Sequence, residues 1–67
     1  MRIVGDDSEI VVSVTTDELR LLSSAIGEAL EAVEPWEFSS RLGAEAEEAL
    51  ALRVAIDEVL RQTFRPE

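Results

Sequence analysis

Two amphipathic stretches of this chain flank a short connector, PWEFSSRLG at residues 35–43. The ring of Pro35 disfavours helical geometry at the residue before it, and Gly43 suits a break before the next helix. The pattern therefore predicts a helix at residues 16–33, a connector at residues 34–43 and a second helix at residues 44–64. A connector this short predicts that the two helices run antiparallel.

Residues 15–33 carry the clearest helix signals. Thr15 and Glu18 have the spacing of a capping box, and Asp17 adds a carboxylate near the positive end of the helix. Gly27 is expected on the polar side. At ~100° per residue, the apolar residues share one stripe that is expected to face the core: Leu19, Leu22, Ile26, Ala29, Leu30 and Val33.

The second helix has a similar apolar stripe. Arg53, Asp57 and Arg61 are spaced for i,i+4 ion pairs and are expected to face solvent on its other side. The inward stripe is predicted to consist of Ala49, Leu52, Ile56, Val59 and Leu60, extended by Ala46, Thr63 and Phe64.

Residues 2–4 and 9–14 alternate as strands do, with Ile10, Val12 and Val14 on one face. Residues 5–8, Gly-Asp-Asp-Ser, have the composition of a turn. We predict a two-stranded antiparallel hairpin whose Ile/Val face rests on the helices, because an isolated hairpin is marginally stable. The predicted fold class is α+β: a single small domain over residues 1–67, built as a ββαα unit with the hairpin packed on an antiparallel two-helix hairpin.

The connector holds the only Trp of the chain and one of its two Phe residues. If residues 34–43 are extended, Trp36 and Phe38 point the same way. Phe38 is then expected to close the open end of the core. Trp36 has two interpretations: a second ring in the core, or an exposed anchor for a partner, since Trp is enriched at binding hot spots.

The composition excludes most catalytic chemistry. The chain has no His, no Cys and no Lys, which removes His-dependent nucleophiles, ordinary zinc sites and Schiff bases. The acidic pairs Asp6-Asp7, Glu47-Glu48 and Asp57-Glu58 fall in a turn or on predicted solvent faces, where nothing raises a carboxyl pKa for acid–base work. We therefore predict a protein that is not an enzyme and that has no cofactor or metal site.

The chain is strongly acidic, with a formal net charge of −9. Such a surface disfavours the binding of nucleic acid and anionic lipid and suits a cationic partner. Alternatively, the charge serves only to keep a small protein soluble. No apolar run approaches the ~20 residues of a membrane span, and the N-terminus lacks the apolar segment of a signal peptide, so a cytoplasmic location is expected.

Leu50 and Val54 are apolar residues on the predicted outward side of the second helix. They form either an interaction patch rimmed by charge or a surface covered by the hairpin. The residues predicted to bind a partner share an outward position or an exposed ring: Trp36, Leu50, Val54, Glu28, Glu31, Glu47, Asp57 and Glu58.

Over half of the chain resembles small acidic actinobacterial proteins of toxin–immunity loci. The resemblance lies in the motif D-E-L at residues 17–19, the segment AIGEAL at residues 25–30, the segment WEFSSRLG at residues 36–43 and the Ala/Glu/Leu-rich helix after it. It implies an immunity or antitoxin protein that neutralises a cationic toxin, such as a nuclease, by occlusion. The alternative is a self-associating homodimeric module without a toxin partner, because a core this small, without disulfides or metal, gains from association.

Overall fold

The computed structural model describes residues 1–63 and confirms the predicted α+β class, a hairpin followed by helices. A third, short helix occupies the predicted connector. The predicted helix end at Phe64 and the tail at residues 65–67 lie outside the described residues. The elements are β1 (Arg2–Gly5), β2 (Ile10–Ser13), α1 (Thr16–Ala32), α2 (Pro35–Leu42) and α3 (Ala46–Thr63).

The two strands pair antiparallel, with Arg2 opposite Ser13 and Gly5 opposite Ile10. The turn between them is closed by Asp6, whose Oδ1 accepts from the backbone N–H groups of Glu9 at 2.8 Å and Ser8 at 2.9 Å. These two hydrogen bonds hold the pKa of the Asp6 carboxyl below its ordinary value. The acidic turn composition thus has a structural role in forming the hairpin.

The prediction that the Ile/Val face of the hairpin rests on the helices is wrong. Every residue of both strands is exposed, and the main helix packing is that of α1 on α3. The reason lies in the link at residues 14–15, because Thr15 is extended and its side chain caps α1. The base of the hairpin therefore lies at the N-terminus of α1, where the Met1 ammonium contacts Glu18 Oε2 at 2.9 Å.

The predicted capping box forms at the start of α1. Glu18 N–H donates to Thr15 Oγ1 at 3.1 Å, and Thr15 N–H donates to Glu18 Oε1 at 2.8 Å. The Thr15 N–H, together with the Met1 ammonium, holds the pKa of the Glu18 carboxyl below its ordinary value. One carboxylate thus joins the first turn of α1 to the start of the hairpin.

The prediction of an extended connector is wrong, because residues 35–42 form the helix α2. Pro35 occupies the first helical position, where its fixed φ suits a helix and its missing N–H is not needed. Gly43 ends α2 in the left-handed conformation, with φ of 80°. In a helix, Trp36 and Phe38 point about 160° apart rather than the same way. Phe38 is accordingly 1% exposed, as predicted, whereas Trp36 is 79% exposed, so its core interpretation fails.

Helices α1 and α3 pack antiparallel, as predicted. Ser23 contacts Asp57, and Gly27 faces Arg53. Because Gly27 lies one turn after Ser23 on α1 and Arg53 lies one turn before Asp57 on α3, the two helices run in opposite directions. The expected i,i+4 ion pair of Arg53 with Asp57 forms, and these two side chains stay 40% and 48% exposed although both contact α1. The expectation that Gly27 lies on the polar side is wrong. Gly27 is buried, and a Cβ built on it would overlap the guanidinium of Arg53.

The predicted inward stripes are only partly covered. Leu22, Leu52 and Val59 are exposed although they were predicted to be core. The other described apolar members are half-buried: Leu19, Ile26, Ala29, Leu30, Val33, Ala49, Ile56 and Leu60. Among residues 1–62, Phe38 is the only apolar side chain that is buried. The fold is thin, with Cα extents of 42 × 33 × 16 Å, and its helices form a single layer.

Replacing Phe38 with Ala is expected to destabilise the protein by about 3–5 kcal/mol, because a fully buried ring is lost. Trp36→Ala is the matched control in the same helix and should change stability by less than about 0.5 kcal/mol. Urea denaturation followed by far-ultraviolet circular dichroism measures both. Equal losses for the two variants would contradict this arrangement of α2.

The capping box predicts a pH dependence of helix stability. Because the folded pKa of Glu18 lies below its ordinary value of 4.5, its stabilisation is present above that value and is lost as pH falls through the folded pKa. Glu18→Gln keeps hydrogen-bonding capacity but does not titrate, so its helical signal should fall less steeply on acidification. Unfolding curves at successive pH values test this, and identical acid profiles for the two proteins would contradict it.

Candidate protein-interaction surfaces

An open apolar groove lies between α1, α2 and α3. Its floor is Phe38, and its walls come from residues spaced three or four apart, such as Leu22 and Ile26 on α1 and Leu52 and Ile56 on α3. The lining residues are Leu22, Ala25, Ile26, Ala29, Phe38, Leu42, Gly43, Ala44, Glu48, Ala49, Leu52 and Ile56. Glu48 is the only charged residue among them.

The groove has a volume of about 680 Å³, within the usual range for small-molecule sites. Such sites normally have several convergent polar groups that fix the orientation of a ligand. Here the walls are aliphatic, and Leu52 is 55% exposed at the rim. An apolar, open groove of this kind has the character of a protein-binding surface.

Sequence reasoning missed this groove, because its leucines were assigned to a closed core. A signal was nevertheless present. Two helices cannot cover all of their own apolar stripes, and the link at residues 14–15 leaves the hairpin little freedom to cover the rest. The capping box at Thr15 and that short link together indicate that an apolar face of the helices is left uncovered.

The opposite side of the helical layer carries most of the residues that were predicted to bind a partner. Leu50 and Val54 are 52% and 57% exposed, and each lies about 160° around α3 from Leu52. Glu47 and Glu58 lie within about 80° of them on α3, and Glu31 lies opposite Leu22 on α1. Glu28 lies beside Glu31 on α1. We call this surface the acidic face, and its residues, all exposed, are Glu28, Glu31, Glu47, Leu50, Val54 and Glu58.

Two predicted site residues do not join the acidic face. Asp57 lies at the contact of α1 with α3, where it accepts from Ser23 Oγ, although its side chain remains 48% exposed. Trp36 is exposed on α2 and points about 160° away from Phe38 in the groove. The structure therefore brings six of the eight predicted residues together and leaves these two elsewhere.

A polar cluster of Ser23, Arg53 and Asp57 joins α1 to α3. Ser23 Oγ donates to Asp57 Oδ1 at 2.6 Å, and Arg53 Nε lies 3.8 Å from Asp57 Oδ2. A nucleophilic serine must be accessible to substrate, yet Ser23 is 5% exposed. The cluster therefore serves to hold the two helices in register.

Residues 1–63 contain no group of three or more acidic side chains placed to hold a metal ion. Within the same residues, no helix has the length and apolar character needed to cross a membrane.

Ser23→Ala is expected to destabilise the protein by about 1 kcal/mol, because a hydrogen bond to a half-buried carboxylate is lost. Ser24→Ala is the matched control: Ser24 is exposed on the same helix, so its change should stay within about 0.5 kcal/mol. Urea denaturation gives both values. Equal effects would mean that the Ser23–Asp57 bond does not hold α1 against α3.

Comparison of the chain with protein-family models, with curated proteins and with solved structures gave no significant match.

Proposed function

We propose that this chain is a non-catalytic protein-binding module whose acidic face recognises a cationic protein. The observation that carries the proposal is the exposure of Leu50 and Val54, at 52% and 57%, among exposed glutamates. These two side chains lie opposite the groove and outside the contact of α1 with α3. Apolar side chains rimmed by charge are typical of a surface that another protein covers.

The charge of the face supports a cationic partner. Glu28, Glu31 and Glu47 form no ion pair within the described residues, whereas Glu58 pairs with Arg61. Together with the net charge of −9, these carboxylates would attract a basic protein over a distance and raise its association rate. Close charge pairs across such an interface contribute about 1.5–7 kcal/mol of coupling energy.

The sequence resemblance to proteins of toxin–immunity loci supports a toxin as the partner. An acidic face placed over the basic surface of a toxin would block access to its substrate. A nuclease fits this mechanism because it carries a basic surface for nucleic acid. Neutralisation would then need only occlusion, and no catalytic residue on this chain.

A second candidate function is that of a self-associating module. One observation favours it, namely the apolar groove on the opposite face, which has a single charged residue in its lining. The two candidates use different surfaces, so one chain can combine them.

A tagged chain should first capture its partner from the source host, and the purified pair should then be measured by surface plasmon resonance. We expect the association rate to fall as salt rises, because exposed charges are screened beyond roughly 8 Å at physiological ionic strength. Glu47→Arg should slow association more than it speeds dissociation, and Leu50→Asp should mainly speed dissociation. The fluorescence of Trp36, the only Trp, reports whether the partner also covers α2.

Glu9→Arg is the matched control, because it makes the same charge reversal in the hairpin turn, away from the acidic face. Circular dichroism of each variant checks that the fold is kept. An association rate that does not change with salt, or equal effects of Glu9→Arg and Glu47→Arg, would contradict recognition through this face.

A further inference from the structure

We propose that the apolar groove is covered by the groove of a second copy of this chain, giving a homodimer in which two helical layers face each other. This inference rests on the second candidate function, self-association, and deepens it by naming the surface and the arrangement of the two copies. It does not depend on recognition by the acidic face.

The exposed area of the chain supports such a dimer. The chain exposes 5554 Å² at a mass of 7.4 kDa, whereas a folded monomer of that mass exposes about 4,200 Å². The excess is about 1,350 Å² per chain, to which the groove and the uncovered hairpin both contribute. An interface of standard size buries about 800 Å² on each partner, so two facing grooves need to cover only part of this excess.

The shape of the chain leads to the same conclusion. Its radius of gyration is 13.6 Å, compared with about 11 Å for a compact domain of this length. Stable domains bury the apolar sides of at least two packed layers, and here the helices form one layer. A second copy would supply the other layer and bring α1 and α3 of each chain into a four-helix arrangement.

The chemistry of the groove favours a second copy over a cationic protein. Burying a guanidinium or ammonium group against aliphatic walls without a paired anion is costly, and Glu48 is the only carboxylate in the lining. A second copy presents the same apolar surface and needs no charge pairing. The small side chains of Ala25, Ala29 and Ala49 leave room in one groove for leucines such as Leu22 and Leu52 of the other copy.

The distribution of charge removes the main objection to self-association. Two copies at −9 each repel one another. However, Glu31 lies opposite Leu22 on α1, and the acidic face as a whole points away from the groove. Facing grooves would therefore keep these carboxylates on the outside of the dimer, separated by both helical layers.

The test is the mass of the full chain in solution by sedimentation and light scattering across a range of concentrations. Leu52→Glu and Leu50→Glu make a matched pair: they introduce the same charge in the same helix, at positions that are 55% and 52% exposed. We expect twice the chain mass for the wild type and for Leu50→Glu. For Leu52→Glu we expect the dimer Kd to rise by at least roughly tenfold, because a carboxylate is placed between apolar walls.

Raising the salt concentration should strengthen the dimer by screening like charges, which is the opposite of its expected effect on a cationic partner. Circular dichroism shows whether Leu52→Glu is folded, and if it is not, Leu52→Ala must weaken the dimer without adding charge. A wild-type monomer at high concentration would overturn the proposal and leave another protein to cover the groove. Equal weakening by Leu50→Glu and Leu52→Glu would also overturn it. Neither outcome bears on recognition by the acidic face, which is tested separately by the salt dependence of the association rate.

Discussion

The close contact of α1 with α3 at Gly27 and Ser23 determines the arrangement of the rest of the chain. Gly27 has no side chain, so the guanidinium of Arg53 lies over the backbone of α1, and Asp57 accepts the Ser23 hydroxyl one turn away. Beside these polar contacts Leu19, Leu30 and Leu60 are half-buried, whereas Leu22 and Leu52 are exposed on the groove side. The helices are held together by register-specific contacts more than by a deep apolar core.

Two faces of different chemistry follow from that contact. On one side, exposed leucines and the alanines between them line the groove, with Phe38 of α2 as its floor. On the other side, Leu50 and Val54 lie among exposed glutamates. The hairpin covers neither face, because the capping box at Thr15 directs it beyond the N-terminus of α1. A small chain thus presents one apolar and one acidic surface on opposite sides of a single layer.

Much of this fold could be predicted from local signals in the sequence. The capping box at Thr15, the alternation in residues 9–14 and the stop before Pro35 gave the hairpin and α1. The role of Pro35 as the first residue of α2 was missed, because the same residue that ends one helix is also favoured at the start of the next. The rotation of the helices could not be predicted, because periodicity finds an apolar stripe but does not show that Ser23 and Gly27, beside that stripe, contact α3. For the same reason the outward residues Leu50 and Val54 were found, whereas the groove was taken for core.

The central claim is that the chain is one helical layer whose groove is completed by a second copy. Its most direct test is an isotope-filtered nuclear Overhauser experiment on a mixture of labelled and unlabelled chains. The account predicts intermolecular contacts at the methyl groups of Leu22, Leu52 and Ile56, and none at Leu50 or Val54. Intermolecular contacts confined to Leu50 and Val54, or none at any methyl group, would contradict it.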